Sequence, residues 1–116
     1  MSSENEADKG AIEQQAREQV GQRQIQLRID EREMRSSYAN AFRTNGTAEE
    51  VILDFGFNTV AEQEKQPVIT FKVNDRVIMN YYSAKRLALT LGQLIRRHEE
   101  QFGMLELDVN KRKKAE

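Results

Sequence analysis

VITFKVNDRVIMN (68–80) runs without a break into YYSAKRLALTLGQLIRRHEEQF (81–102), and the reading of this junction decides the fold. In the first part Ile69, Phe71, Val73, Val77 and Met79 are all odd-numbered, the period of two that lines one face of a strand. Asp75 is the exception to that phase. Asn74-Asp75 also fits a two-residue hairpin turn. A hairpin has no need to keep the phase of its apolar residues across the turn, so one long strand, bulged near Asp75, is favoured. In the second part Ala84, Leu87, Ala88, Leu91, Leu94, Ile95, His98 and Phe102 recur at helical spacing, an apolar stripe along a helix about 30 Å long. Asn80 is placed to cap its start and Gly103 its end.

Upstream, Glu50-Val51-Ile52-Leu53-Asp54-Phe55-Gly56-Phe57 puts Val51, Leu53, Phe55 and Phe57 on one strand face and Glu50, Ile52, Asp54 and Gly56 on the other, the pattern of a strand covered on one side. Residues 61–67, AEQEKQP, read as a polar loop closed by the single proline. Asn45-Gly46 reads as a turn. Before it, Tyr38–Arg43 alternates weakly, with Tyr38 and Phe42 on one face. Glu31–Arg35 is a charged connection. Gln24-Ile25-Gln26-Leu27-Arg28-Ile29-Asp30 alternates without a fault and reads as a half-buried strand. After the helix, Met104–Val109 alternates again and reads as a short closing strand. The expected fold is therefore α+β: an antiparallel sheet of about four strands in the order β-β-β-β-α, with one long C-terminal amphipathic helix packed on one face.

The apolar residues are unevenly spread. Only six fall in 1–23, which is rich in Glu, Gln and Ser, and only one in 110–116. Residues 1–23 read as a disordered or transiently helical acidic tail, 24–109 as a single domain, and 110–116 as a short basic tail. All the aromatic residues lie between Tyr38 and Phe102, inside that domain. One helix hides only part of such a sheet, and open strand edges invite pairing, so a homo-oligomer is expected.

The 116 residues carry 18 Lys+Arg, 19 Asp+Glu, one His and no Cys. Without cysteine there is no disulfide scaffold, thiol nucleophile or Cys-based metal site. The start, MSSENEADKG, lacks a basic and then apolar leader, and apolar runs are no longer than three residues, as in Val51-Ile52-Leu53 and Val77-Ile78-Met79. A cytoplasmic protein with no membrane association is the expectation. A net charge of −1 argues against a general nucleic-acid surface, although it is partly a cancellation between the two ends.

Nucleotide-binding and nucleophile-elbow motifs are absent, and no catalytic residue, metal site or cofactor is indicated. His98 sits in the helix stripe four residues before Phe102, where a core-edge ring with one satisfied nitrogen is the plainest reading. Asp54, set among aromatics on a strand, suits a structural bond to a backbone amide or to Arg43; only a raised pKa in a pocket would point to catalysis. Arg96-Arg97 suit the negative end of the helix, whereas Lys85-Arg86 sit at the wrong end for that and are candidates to face a partner or an anion. Tyr81-Tyr82 are adjacent and cannot both point inward, and tyrosine is a common interface residue. The candidate partner-binding residues are Tyr38, Asn40, Arg43, Arg76, Tyr81, Tyr82, Lys85 and Arg86.

Tyr38-Ala39-Asn40, Glu49–Gly56, Arg76–Met79, Ala84–Leu87 and Glu99/Glu100 with Phe102-Gly103 together resemble a family of small bacterial and archaeal proteins known as a domain of unknown function, number 3467 in that series. The resemblance spans about residues 25–109. Many relatives open the helix with Ser-Pro or Thr-Pro where Asn80-Tyr81 stands here, so a cap is kept and proline's rigidity is lost. The family motif runs directly from strand into helix, which supports a single strand over 68–80, and it implies no activity. A looser likeness in architecture is to the export chaperone SecB, a four-stranded antiparallel sheet followed by a helix. The functional expectation is a non-enzymatic, self-associating module that binds another protein. The alternatives are a nucleic-acid-binding accessory protein using Lys85-Arg86 and the KRKK tail, and a chaperone-like protein.

Overall fold

The structure, a computed structural model, describes residues 2–21 and 23–114. Its elements in chain order are α1 (Ser2–Val20), β1 (Ala41–Gly46), β2 (Glu50–Gln63), β3 (Gln66–Asn80), α2 (Tyr81–Phe102) and α3 (Val109–Lys114). The chain divides into two compact units, Met1–Ala84 and Lys85–Glu116. The strands form one antiparallel sheet in the order β1-β2-β3, so the expected α+β class holds with three strands rather than four.

The fourth strand was expected at 24–30, and the closing one at 104–109. Neither forms: both segments lie outside the sheet. Alternation prepares a segment for a ladder but cannot supply the neighbouring strand. Ile25 and Leu27 are half-buried and Ile29 exposed, and the segment ends where Arg32 donates from Nε and Nη2 to Asp30 at 2.9 and 2.6 Å. In 103–108 the Leu105 amide instead donates to the Glu99 carboxylate, and Asp108 caps α3 through the Asn110 amide. At the other end residues 2–20 are helical, ending at Gly21 with φ of 76°.

The turns also differ from expectation. Asn45 and Gly46 lie inside β1, opposite Ile52 and Val51. The chain reverses at 47–49 instead, where the Thr47 hydroxyl accepts from the amides of Glu49 and Glu50. Residues 61–67 are a tight hairpin rather than a loop. Gln63 pairs with Gln66, and Glu64 and Lys65 both take positive φ, 47° and 67°, the type I′ signature that matches the twist of the flanking strands. Pro67 is tolerated inside β3 because that strand lies at the sheet margin.

Residues 66–80 form one strand that enters α2 directly, as the odd-numbered phase suggested. A bulge interrupts it. Phe55 pairs with Asp75 and Gly56 with Val73, which leaves Asn74 as the extra residue. The expectation of one continuous apolar face on β3 is thereby corrected, because one inserted residue exchanges the faces. Directly paired residues share a face. Val77 and Met79 therefore join Val51, Leu53, Phe55 and Phe42 on one side, whereas Ile69, Phe71 and Val73 join Asp54, Ile52, Arg43 and Arg76 on the other. Gly56 is required at the shift: a Cβ there would strike the Lys72 carbonyl oxygen and stand 3.0 Å from the Val73 Cα.

The Asn80 side chain caps α2, accepting the Ser83 amide at 2.8 Å. Gly103, at φ 97°, closes its other end and donates to the Glu99 carbonyl at 2.8 Å. No side chain of α2 is buried. Along its apolar stripe Leu94 is 53% and Phe102 70% exposed. Among the described residues no hydrophobic side chain anywhere is buried.

Two substitutions test these local requirements. Gly56→Ala sets a Cβ against backbone, which no rotamer relieves, and is expected to lower the urea unfolding free energy by about 1–3 kcal/mol. Asn80→Ala removes the α2 cap and is expected to cost about 1 kcal/mol, with helical circular dichroism reduced.

Candidate interaction site

Asp54 is the one buried polar side chain among the described residues, 2% exposed on the central strand. Ladder register sets Arg43 of β1 opposite it on one side and Arg76 of β3 on the other. Arg43 donates from Nε to Oδ2 at 2.7 Å. Arg76 donates from Nε to Oδ1 at 2.7 Å and from Nη2 to Oδ2 at 3.0 Å. Both carboxylate oxygens are thus engaged, and one charge bridges all three strands. Arg43 is the partner expected from the sequence, and Arg76 is a second guanidinium beyond it.

The arginines are themselves more than half exposed, at 59% and 54% of their side chains. Each is anchored at its Nε end, and Arg43 lies 6.0 Å from the centre of the Phe71 ring, a long cation–π contact. Two guanidiniums around one carboxylate leave this patch with a net positive charge, beside Phe71, Val73 and Ile52. Arg76 first and then Arg43, by hydrogen bonding, hold the Asp54 carboxyl far below the usual carboxylate range, against the opposing effect of burial. The same bond raises the Arg76 pKa. A carboxylate held ionised in this way is a poor proton acceptor, the reverse of the raised pKa that would favour acid–base chemistry.

The other candidates divide into those taken up by the fold and those left outward. Asn40 donates its amide to the Gly56 carbonyl at 3.0 Å and accepts the Asn58 amide on its side chain at 2.9 Å, so it extends the β1 edge of the sheet. The Tyr81 hydroxyl donates to the Thr47 carbonyl at 2.8 Å, tying the start of α2 to the β1–β2 turn. A Cβ at Gly46 would run into that hydroxyl. Tyr38 packs its ring 5.6 Å from that of Phe57 in a tilted pair while remaining exposed, and Tyr82 is 77% exposed. One tyrosine of the adjacent pair is thus bound into the fold and the other is open. Lys85, exposed, and Arg86, half-buried, belong to the second unit. His98 is also exposed rather than at a core edge, its ring 4.9 Å from that of Phe102.

Ser37 escaped the sequence reading: its hydroxyl donates to the Asp75 carboxylate at 2.9 Å, which fixes the approach to β1. Among the described residues no group of three or more His, Cys, Asp or Glu is placed to hold a metal ion. No helix among them is long and apolar enough to cross a membrane.

The depressed Asp54 pKa carries a stability consequence of known sign. The contribution is fully present above the unfolded value near 3.8 and is lost as pH falls from there through the folded value. Asp54→Asn is expected to lower the urea midpoint at neutral pH, with an unchanged deficit down to about pH 5 that narrows only in stronger acid. Parallel urea titrations of the two proteins across that range measure it.

No curated protein and no solved structure matches the chain. Residues 1–107 match the family described as "Protein of unknown function (DUF3467)", and the chain belongs to that family, as its motifs suggested.

Proposed function

We propose that the protein is a non-enzymatic cytoplasmic module that associates with further copies of itself through its sheet and helix and presents the assembly to a protein partner. The observation that carries this reading is that among the described residues no hydrophobic side chain is buried. Phe42, Tyr82, Leu94 and Phe102 are all more than half exposed, and no residue of α2 is buried. A folded domain gains most of its stability from apolar burial, and a surface this rich in large apolar groups marks an interface. Association with a further copy supplies a partner surface for such groups.

The Arg43–Asp54–Arg76 patch supports the second half of the proposal. Its guanidiniums are oriented, half exposed and flanked by an aromatic ring, a combination suited to a carboxylate-bearing protein surface. The same bonds weigh against nucleic acid as the partner, since Arg43 and Arg76 share one carboxylate and contribute less net charge to a phosphate-binding surface. A chaperone-like role by analogy with SecB loses its four-stranded premise.

Size-exclusion chromatography with light scattering tests the central claim. A dimer or larger species is expected at tens of micromolar, and Leu91→Glu with Leu94→Glu is expected to shift it toward monomer. A wild-type chain that is strictly monomeric at that concentration overturns self-association.

A further inference from the structure

The outer edge of β3 has no ladder partner among the described residues, although the strand is 15 residues long. Two features divide this edge. Pro67 has no amide hydrogen to donate and marks one end, and the bulge at Asn74 breaks the regular spacing at the other. Between them lies Pro67–Val73, PVITFKV, a regular stretch with Thr70 at its centre and equal lengths on either side. The Thr70 carbonyl is turned toward β2, where the Thr59 hydroxyl donates to it at 3.5 Å. Backbone groups alternate in direction along a strand, so Pro67, Ile69, Phe71 and Val73 turn theirs to the open edge.

We infer that this edge pairs antiparallel with the same edge of a second copy, about a two-fold axis that passes between the two Thr70 residues and is normal to the sheet. The inference rests on the self-association proposed above and specifies its geometry. Such an axis keeps each face continuous and joins two three-stranded sheets into one of six strands. Thr70 then faces its counterpart, Ile69 faces Phe71, and Val68 faces Lys72. The Ile69 and Phe71 pairs exchange both of their hydrogen bonds, and the Val73 amide reaches the Pro67 carbonyl, which needs no donor from the proline in return. The ladder stops on each side where the proline and the bulge stand.

The stretch is complementary to itself in charge as well as in length. Its sole charged residue, Lys72, lies opposite Val68 and about 13 Å along the strand from its own counterpart. Centring the axis on Lys72 would oppose the two lysines directly, centring it on Phe71 would drive the ladder into the bulge, and centring it on Ile69 would shorten it. Thr70 alone among these gives a ladder that uses the whole regular stretch without opposing like charges. The Ile69 and Phe71 pairs fall on the Asp54 face and extend its apolar ground across the junction.

The chain has no cysteine, so introduced thiols report the register without background. Opposed residues of a pair that is not hydrogen-bonded stand about 4.5 Å apart at Cα, within reach of a disulfide. In the full-length chain, Thr70→Cys is expected to give a covalent dimer on mild oxidation, and Lys72→Cys alone is not. An equal mixture of Val68→Cys and Lys72→Cys chains is expected to give the mixed dimer, which reads the same register if Thr70→Cys fails to fold. If light scattering shows an oligomer but Thr70→Cys crosslinks no better than Lys72→Cys, and the mixture gives no mixed dimer, the edge pairing is overturned while self-association stands. A monomeric wild-type chain overturns both.

Discussion

Among the described residues the carboxylate of Asp54 makes the one side-chain bridge across all three strands, and the placement of the strands depends on it. Hydrophobic burial, the usual means of fixing register, is incomplete in the single chain. A charge held between two guanidiniums is specific in a way that an apolar contact is not. Slipping β1 or β3 by one residue turns Arg43 or Arg76 to the opposite face and strands a carboxylate between backbone ladders. Asp54 therefore penalises the wrong registers more than it rewards the right one. That suits a sheet whose faces both carry apolar groups and so offer weak discrimination between them.

The bulge at Asn74 is the second constraint, and it is coupled to the first. Counted from the Glu64–Lys65 turn, regular pairing would place Asp75 opposite Asp54 and set two like charges against each other; the extra residue brings Arg76 there instead. It also divides the apolar residues of β3 between the two faces, which gives each a share: Val77 and Met79 on the side of Phe55, and Ile69, Phe71 and Val73 on the side of Asp54. Gly56 makes this local geometry possible, because the β3 backbone passes where a Cβ would stand.

The pattern of legibility follows from these interactions. Residues 81–102 were readable because a helix satisfies its own backbone and its caps are local, Asn80 at one end and Gly103 at the other. The continuity of 68–80 was also readable, although the odd-numbered phase that argued for it is not one face, because the bulge at Asn74 sets Ile69, Phe71 and Val73 against Val77 and Met79. Asp54 was visible as an oddity, a carboxylate between aromatics, and Arg43 as a partner within the same hairpin. Arg76 was seen only as a surface cation, because its pairing requires both the turn position and the bulge. The turn was hidden because Glu64 and Lys65 hold positive φ without the glycine or asparagine that announces it. Conversely, Asn45-Gly46 has the composition of a turn, but the Thr47 hydroxyl organises the reversal one residue later. The stretch 24–30 has faultless alternation and no strand beside it, which shows that pattern specifies a face and a neighbour specifies a strand.

The same distinction bears on the open edge of β3. Protected sheet edges use short strands, inward charges, prolines or bulges, and here those devices stand at Pro67 and Asn74 while the stretch between them has a single lysine. Protection confined to the two ends does not prevent pairing; it limits the length over which pairing can occur. The Asp54 centre then matters beyond its own strands. With Arg76 held opposite it, one extra residue must lie between the Glu64–Lys65 turn and Arg76, and that bulge limits how far the regular edge extends. A buried charge on the central strand thus bears on the length of the open edge of the neighbouring strand, while the turn at Glu64–Lys65 sets which of its backbone groups face outward.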